Sequence, residues 1–246
     1  LFYSPRSVIV ASLFGCGDAT VTLHDEKAAR SDTHTRLLRA ALTVFSRRDF
    51  DAASVRDIVQ RAGANVAAVS YHFGSKQGLY LATAEFLADT LLARMGPMLA
   101  EIRNLSADTD AAAAETQLRR LIHGLSDTLL SDGIGDDAAG FVLREQHQPT
   151  AAFDILYERL MAPMQQGFAR LVARIDPSID DHSRTGILIT HALIGQILAF
   201  RMARSTVLRR LGQPAFSAAD VAQIAALTGD LTCKALHNDN HRKPTE

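Results

Sequence analysis

Helix-boundary residues crowd into one short stretch of this 246-residue chain, at Ser54, Gly63, Asn65, Gly74 and Ser75. Ser54-Val55-Arg56-Asp57 has the spacing of a capping box, in which hydroxyl and acid each satisfy an orphan amide at a helix start. Val55, Ile58, Val59 and Ala62 then give a helix over 54–62 one apolar face, and Gly63 stops it. Asn65 caps a second short helix over 65–73, whose expected buried side is Val66, Val69 and Phe73. Gly74 breaks that helix. Ser75 starts a longer one through Leu79, Phe86 and Leu92 to Met95, where Gly96-Pro97 predicts a kink or a stop.

The rest of the chain extends the same pattern. Leu37, Leu38, Ala41, Leu42 and Phe45 form one stripe, which predicts a helix over 33–48. Further helices are expected at about 111–131, 137–148, 150–175, 181–210 and 217–236, and Pro163 should kink or divide the third of these. No convincing alternating strand interrupts them from Asp32 onward. The expected fold is all-α.

Two short helices joined through a glycine turn and preceded by a longer one describe a helix-turn-helix. Its second helix would offer its amino end to a DNA major groove. Asn65, Ala67, Ala68 and Ser70 are small enough to let that helix sit deep, and Val66 opens its first turn. Arg56, just after the cap residue Ser54, is long enough to reach a guanine edge or a phosphate. Tyr71, His72 and Lys76 follow as natural phosphate ligands, although Tyr71 and His72 also suit a packed, structural role. Charge runs the same way. Residues 24–80 carry nine basic and six acidic residues, whereas 81–246 carry 16 basic and 20 acidic ones, so a basic head precedes an acidic body.

Other chemistry finds little footing. There is no Gly-x-Ser-x-Gly elbow, P-loop or His-Glu-x-x-His, and no strand leading into a Gly-x-Gly-x-x-Gly. No catalytic residue, metal site or cofactor is expected. Cys16 and Cys233 are too few for a disulfide framework, and His237 with His241 lacks a third metal ligand. Asp136-Asp137 and Asp180-Asp181 have the character of helix-start acids. Gly186 to Phe200 is apolar nearly all round, but 15 residues bracketed by Arg184 and Arg201 are short for a bilayer, so no membrane partner is expected. Residues 7–14 form an apolar run ending at Gly15-Cys16, in the manner of a lipoprotein signal. A single preceding arginine and the bulk of Phe14 count against that, and residues 1–30 are expected to be a disordered or mis-set leader.

Two longer stretches carry a resemblance. Val55-Arg56-Asp57-Ile58-Val59-Gln60-Arg61-Ala62-Gly63 followed by Tyr71-His72-Phe73-Gly74-Ser75-Lys76-Gln77-Gly78-Leu79 closely resembles the DNA-binding domain of TetR-family transcriptional regulators, over about residues 33–80. Ser70 stands where that family commonly has an aromatic, and Asn65-Val66-Ala67-Ala68 departs from its usual helix start, so base preference does not carry over. Residues 141–152 and 190–201 look like the carboxy-terminal domain of the CecR-type branch. The resemblance implies a DNA-binding domain at 31–78, an effector-binding and dimerisation domain at 79–236, and a tail at 237–246. It implies a cytoplasmic homodimer that represses from a double-stranded, palindromic operator and is released by a small-molecule effector. Transport or efflux genes would be its targets.

The effector itself is unnamed by these residues. Candidate contacts in the body are Phe141, Tyr157 and Met161 as adaptable apolar groups, beside Phe153, Met164 and Phe168, with Arg144, Glu145, His147, His191 and Gln196 as polar ones. The alternative is an α-helical enzyme or small-molecule-binding protein that uses the same carboxy-terminal pocket.

Overall fold

A computed structural model describes residues 19–106, 108–131 and 135–237, with side chains from residue 32 onward. All regular structure among them is helical. In order these are α1 (Ala19–Phe45), α2 (Val55–Ala62), α3 (Val66–Phe73), α4 (Lys76–Arg103), α5 (Ala111–Leu130), α6 (Gly135–His147), α7 (Ala151–Leu156), a π-turn (Tyr157–Met161), α8 (Ala162–Ile175), α9 (Arg184–Met202), α10 (Arg204–Leu211) and α11 (Ala218–His237).

α1 starts well before the expected residue 33. No glycine or proline lies between Asp18 and Phe45, so nothing in the chain ends the helix on its amino side. The described part of the expected leader, 19–30, is therefore helix. Residues 1–18, with the lipoprotein-like site at Cys16, lie outside the described residues, as does the tail beyond His237.

α4 corrects a second expectation. It runs straight through Gly96-Pro97 to Arg103 instead of stopping at Met95. Proline removes one amide from the ladder, but the helix continues with buried side chains on both sides of it: Met95 is 2% exposed and Ile102 1%. The division expected at 78/79 falls inside this helix. Leu79, Tyr80, Ala84, Leu87 and Leu91 pack into one core with α1, α2 and α3, and that core continues to Phe141 of α6 and Ala152 and Leu156 of α7. Met95 and Ile102 belong to a second core, with Leu118 and Leu121 of α5, Phe168 and Leu171 of α8 and Ile197 of α9. One continuous helix thus joins the head to the body.

Two long expected helices divide. Thr150 caps α7, and the backbone widens into the π-turn just before Pro163, whose missing amide cannot continue an α-helical ladder. The span expected at 181–210 starts only where the Ser183 hydroxyl accepts from the Gly186 amide, and it breaks at Ala203 between α9 and α10.

Candidate nucleic-acid interface

The head is assembled by caps and one buried pin. Ser54 Oγ accepts from the Arg56 amide at 3.1 Å, and Asn65 Oδ1 accepts from the Ala68 amide at 2.9 Å. Between them Gly63 adopts φ 61°, a left-handed turn that side chains resist, and Arg36 Nη1 donates to the Ala62 carbonyl at 3.0 Å, tying the turn to α1. Val69 is 3% exposed and seats α3 on the head core. Ser75 Oγ then accepts from the Gly78 amide at 3.0 Å to start α4.

The capping box at Ser54 is only half made. Asp57 pairs with Arg48 of the α1–α2 loop instead of turning back to the Ser54 amide. Aspartate is one methylene shorter than the usual glutamate, and a cation stands within its reach. The expected buried side of α3 also needs correction, because Val66 is 51% exposed while Val69 is buried. Within that first turn the core takes Ala68 and Val69, and Val66 lies on the side turned away from them.

The outer face of the head now has a definite composition. Arg56, Asn65, Val66, Ala67, Ser70 and Tyr71 are exposed. Ala68 is half-buried against the core, and Ser54 is half-buried as a cap. His72 is half-buried among rings, 5.0 Å from Tyr71 and 5.7 Å from His34. Burial, then the nearby His72, holds the His34 imidazole below its ordinary range, where it stacks on Phe73 at 4.8 Å. Lys76 Nζ donates to the Asp51 carbonyl at 3.3 Å and lies 4.5 Å from the centre of the Phe50 ring, so its ammonium is fixed beside the start of α4. An exposed helix start with small side chains, one exposed methyl pair and flanking donors is what groove entry requires.

The structure does not bring the eight effector candidates together. Phe141 is fully buried in the first core, while its expected companions Met164 and Phe168 lie in the second. Tyr157 is 45% exposed, stacked with Phe153 at 6.1 Å. His147 is exposed, and Met161 receives a bond from Gln146 near the surface. His191 points outward from α9, and Gln196 lies half-buried farther along that helix. Periodicity placed them on helices but could not select the neighbours those helices take.

Arg144 and Glu145 do converge, on the junction of head and body. A cleft of about 360 Å³ there is lined by Asp49, Phe50, Gln77, Tyr80, Arg144 and Glu145, among others. Glu145 is fully buried and accepts from the Tyr80 hydroxyl, from the Thr150 amide at 3.0 Å and from Thr150 Oγ1 at 3.0 Å. Burial, and next the bond to Glu145, hold the Tyr80 phenol protonated far above its usual range. Arg144 donates to the Phe45 carbonyl at 3.2 Å and pairs with Asp49. Asp49, Phe50 and Tyr80 were not singled out from sequence. Tyr80 and Asp49 have partners 65 and 95 residues away, and Phe50 meets Lys76 from the start of α4, so no local spacing signals such contacts.

Comparison with known proteins agrees with this geometry. Residues 37–83 match the model for bacterial regulatory proteins of the tetR family, and residues 114–237 match that for the C-terminal domain of the HTH-type transcriptional dual regulator CecR. The chain is 34% identical to the HTH-type transcriptional dual regulator CecR of Shigella flexneri, over 87% of this chain and 92% of that protein. Among solved structures, AmtR of Mycobacterium smegmatis is similar in fold, with a TM-score of 0.55 at 18% identity over 83% of this chain and 86% of that one. A candidate transcriptional regulator from Saccharomonospora viridis, solved with choline, has a TM-score of 0.56 at 19% identity over 82% and 95% of the two chains.

Proposed function

Because this chain belongs to the TetR family of transcriptional regulators, with a CecR-type C-terminal domain, we propose that it represses transcription as a cytoplasmic homodimer on a palindromic operator and lets go when a small molecule binds. It is a DNA-binding regulator and not an enzyme, as are its relatives. The observation that carries the finer reading is the outer face of α3, with Asn65, Val66, Ala67, Ser70 and Tyr71 exposed while Val69, with the half-buried Ala68 and Phe73, seats the helix on the core. In the proposed complex Asn65, Val66, Ala67 and Ser70, with Arg56, meet base edges, and Tyr71 faces a phosphate. Ser54, Ala68 and His72 support them, and Lys76 holds a phosphate.

What supports the dimer is an uncovered apolar face. α9 is long and apolar enough to cross a membrane, yet only 28% of it is buried within the chain. Ile187, Leu188 and Met202 of α9 and Leu227 and Leu231 of α11 are each more than half exposed. Close contacts of α9 with α5, α8 and α11 on its inner side leave this outer stripe for a second copy, which would place two α3 helices about 34–36 Å apart. The effector reading rests on the head–body cleft. A small polar ligand there would compete with Asp49 for Arg144 and change how the head is seated. It must bind the released arrangement more tightly, since equal affinity would shift nothing. Transport or efflux genes are the proposed targets, and the relative's description as a dual regulator leaves room for activation at other promoter positions.

Operator selection from random duplexes, followed by titration across salt concentrations, tests this. Log affinity should fall linearly with log salt. Lys76→Ala should weaken all sequences alike and flatten that slope, whereas Arg56→Ala and Ser70→Ala should change which sequence wins, by about 1–3 kcal/mol of discrimination. Equal losses for all three substitutions on every sequence would overturn the assignment of readers and anchors.

A further inference from the structure

α6 begins with two adjacent acids that serve different partners. Asp137 accepts from Thr43 Oγ1 at 2.6 Å and Ser46 Oγ at 3.1 Å, with Arg47 Nη2 3.5 Å away. All three lie at the carboxy end of α1 or just beyond it, in the head. Asp136 instead meets Arg201 Nη2 at 2.5 Å and Arg204 Nη1 at 3.3 Å, from the end of α9 and the start of α10. Consecutive residues on an α-helix point about 100° apart, so one acid pair at one helix start can hold two elements.

The rest of α6 reinforces the grip on α1. Gly140 is three residues beyond Asp137 on the same face, and a Cβ there would stand 2.9 Å from the Ser46 carbonyl oxygen. Arg144, four residues farther on, donates to the Phe45 carbonyl at 3.2 Å. These are carbonyls at the negative end of α1, where a cation is favoured. Helix-start acids that merely answered the dipole of α6 would need no partners. Here Asp137 has three in the head and Asp136 has two beside the dimer helices, and the Arg201 side chain is only 11% exposed.

We propose that Asp136 and Asp137 are positioning residues, a relay through the start of α6 that sets the angle of the DNA-binding head against the dimer helices. This rests on the dimeric, two-half-site reading above. Partly exposed ion pairs add at most about 1 kcal/mol to stability, so the relay acts on orientation. Losing it should free each head to search a range of angles while leaving the head itself intact.

The test uses full-length D136A, D137A and the double variant. Each is titrated against a single half-site, the selected operator, and operators lengthened or shortened by one and two base pairs, with melting recorded alongside. Half-site affinity should stay within about twofold, whereas the full operator should weaken about tenfold, within the range of pairwise coupling between interacting residues. The preference for native spacing should largely disappear. Because the two links act in series, the double variant should resemble either single one. Variants that keep the wild-type spacing preference, effects that multiply in the double variant, or half-site and full-site losses that track a lowered melting point would each overturn the relay. A wild-type protein with no spacing preference would instead overturn the dimeric reading beneath it.

Discussion

Leu188→Glu combined with Leu227→Glu should leave the chain folded but monomeric, and its operator affinity should drop about 100-fold or more, the equivalent of about 2.8 kcal/mol. Both leucines stand on the outer faces of α9 and α11, at 58% and 51% exposed within one chain. A glutamate there is solvated in the monomer and costs little. Across a two-fold interface the same substitution removes apolar burial worth about 0.8–1.5 kcal/mol per half-exposed leucine, twice over by symmetry, and puts like charges in a drying contact. Sedimentation should report the monomer and circular dichroism an unchanged helix content. Half-site binding should survive, since α3 is untouched. A variant that remains dimeric would show that another face makes the assembly.

The next largest effect is expected inside the head–body junction. Glu145→Ala should destabilise the protein by about 1–3 kcal/mol, the cost of a buried donor left without its acceptor. That donor is the Tyr80 hydroxyl, with Tyr80 only 4% exposed, whereas the exposed Thr150 can turn its amide to water. Tyr80→Phe removes one bond to a charged acceptor and should cost about 1.5–3 kcal/mol. Glu145→Gln keeps an oxygen for one donor and should fall between the wild type and Glu145→Ala. Denaturant titration with tyrosine and helix signals followed together measures all three. Losses below about 0.5 kcal/mol throughout would mean that water already serves these groups.

The head was legible because its signals are local. Ser54, Gly63, Asn65, Gly74 and Ser75 mark helix ends through groups within four residues of themselves, and each acts at such an end in the structure. The misreadings there came from competition. Asp57 found Arg48, and Val66 sat beyond the reach of the core. The body was legible as helices but not as a site. Arg144 and Glu145 are neighbours in the chain, yet one reaches the end of α1 and the other Tyr80 of α4. His191 lies in a strongly apolar helix, and its outward direction depends on which side α5, α8 and α11 cover. Asp136-Asp137 read as ordinary helix-start acids because dipole preference is visible in sequence, whereas partners from α1 and α9 are not.

Guanine N7 protection from dimethyl sulfate on the selected operator probes most directly whether α3 and its twin enter successive major grooves. Two protected clusters should appear about 10–10.5 base pairs apart, on the face bearing the two half-sites. Both should vanish together in the Leu188→Glu, Leu227→Glu variant at concentrations that saturate the wild type. A single cluster, a separation that puts the clusters on opposite faces of the duplex, or no guanine N7 protection on an operator that is bound would contradict the account.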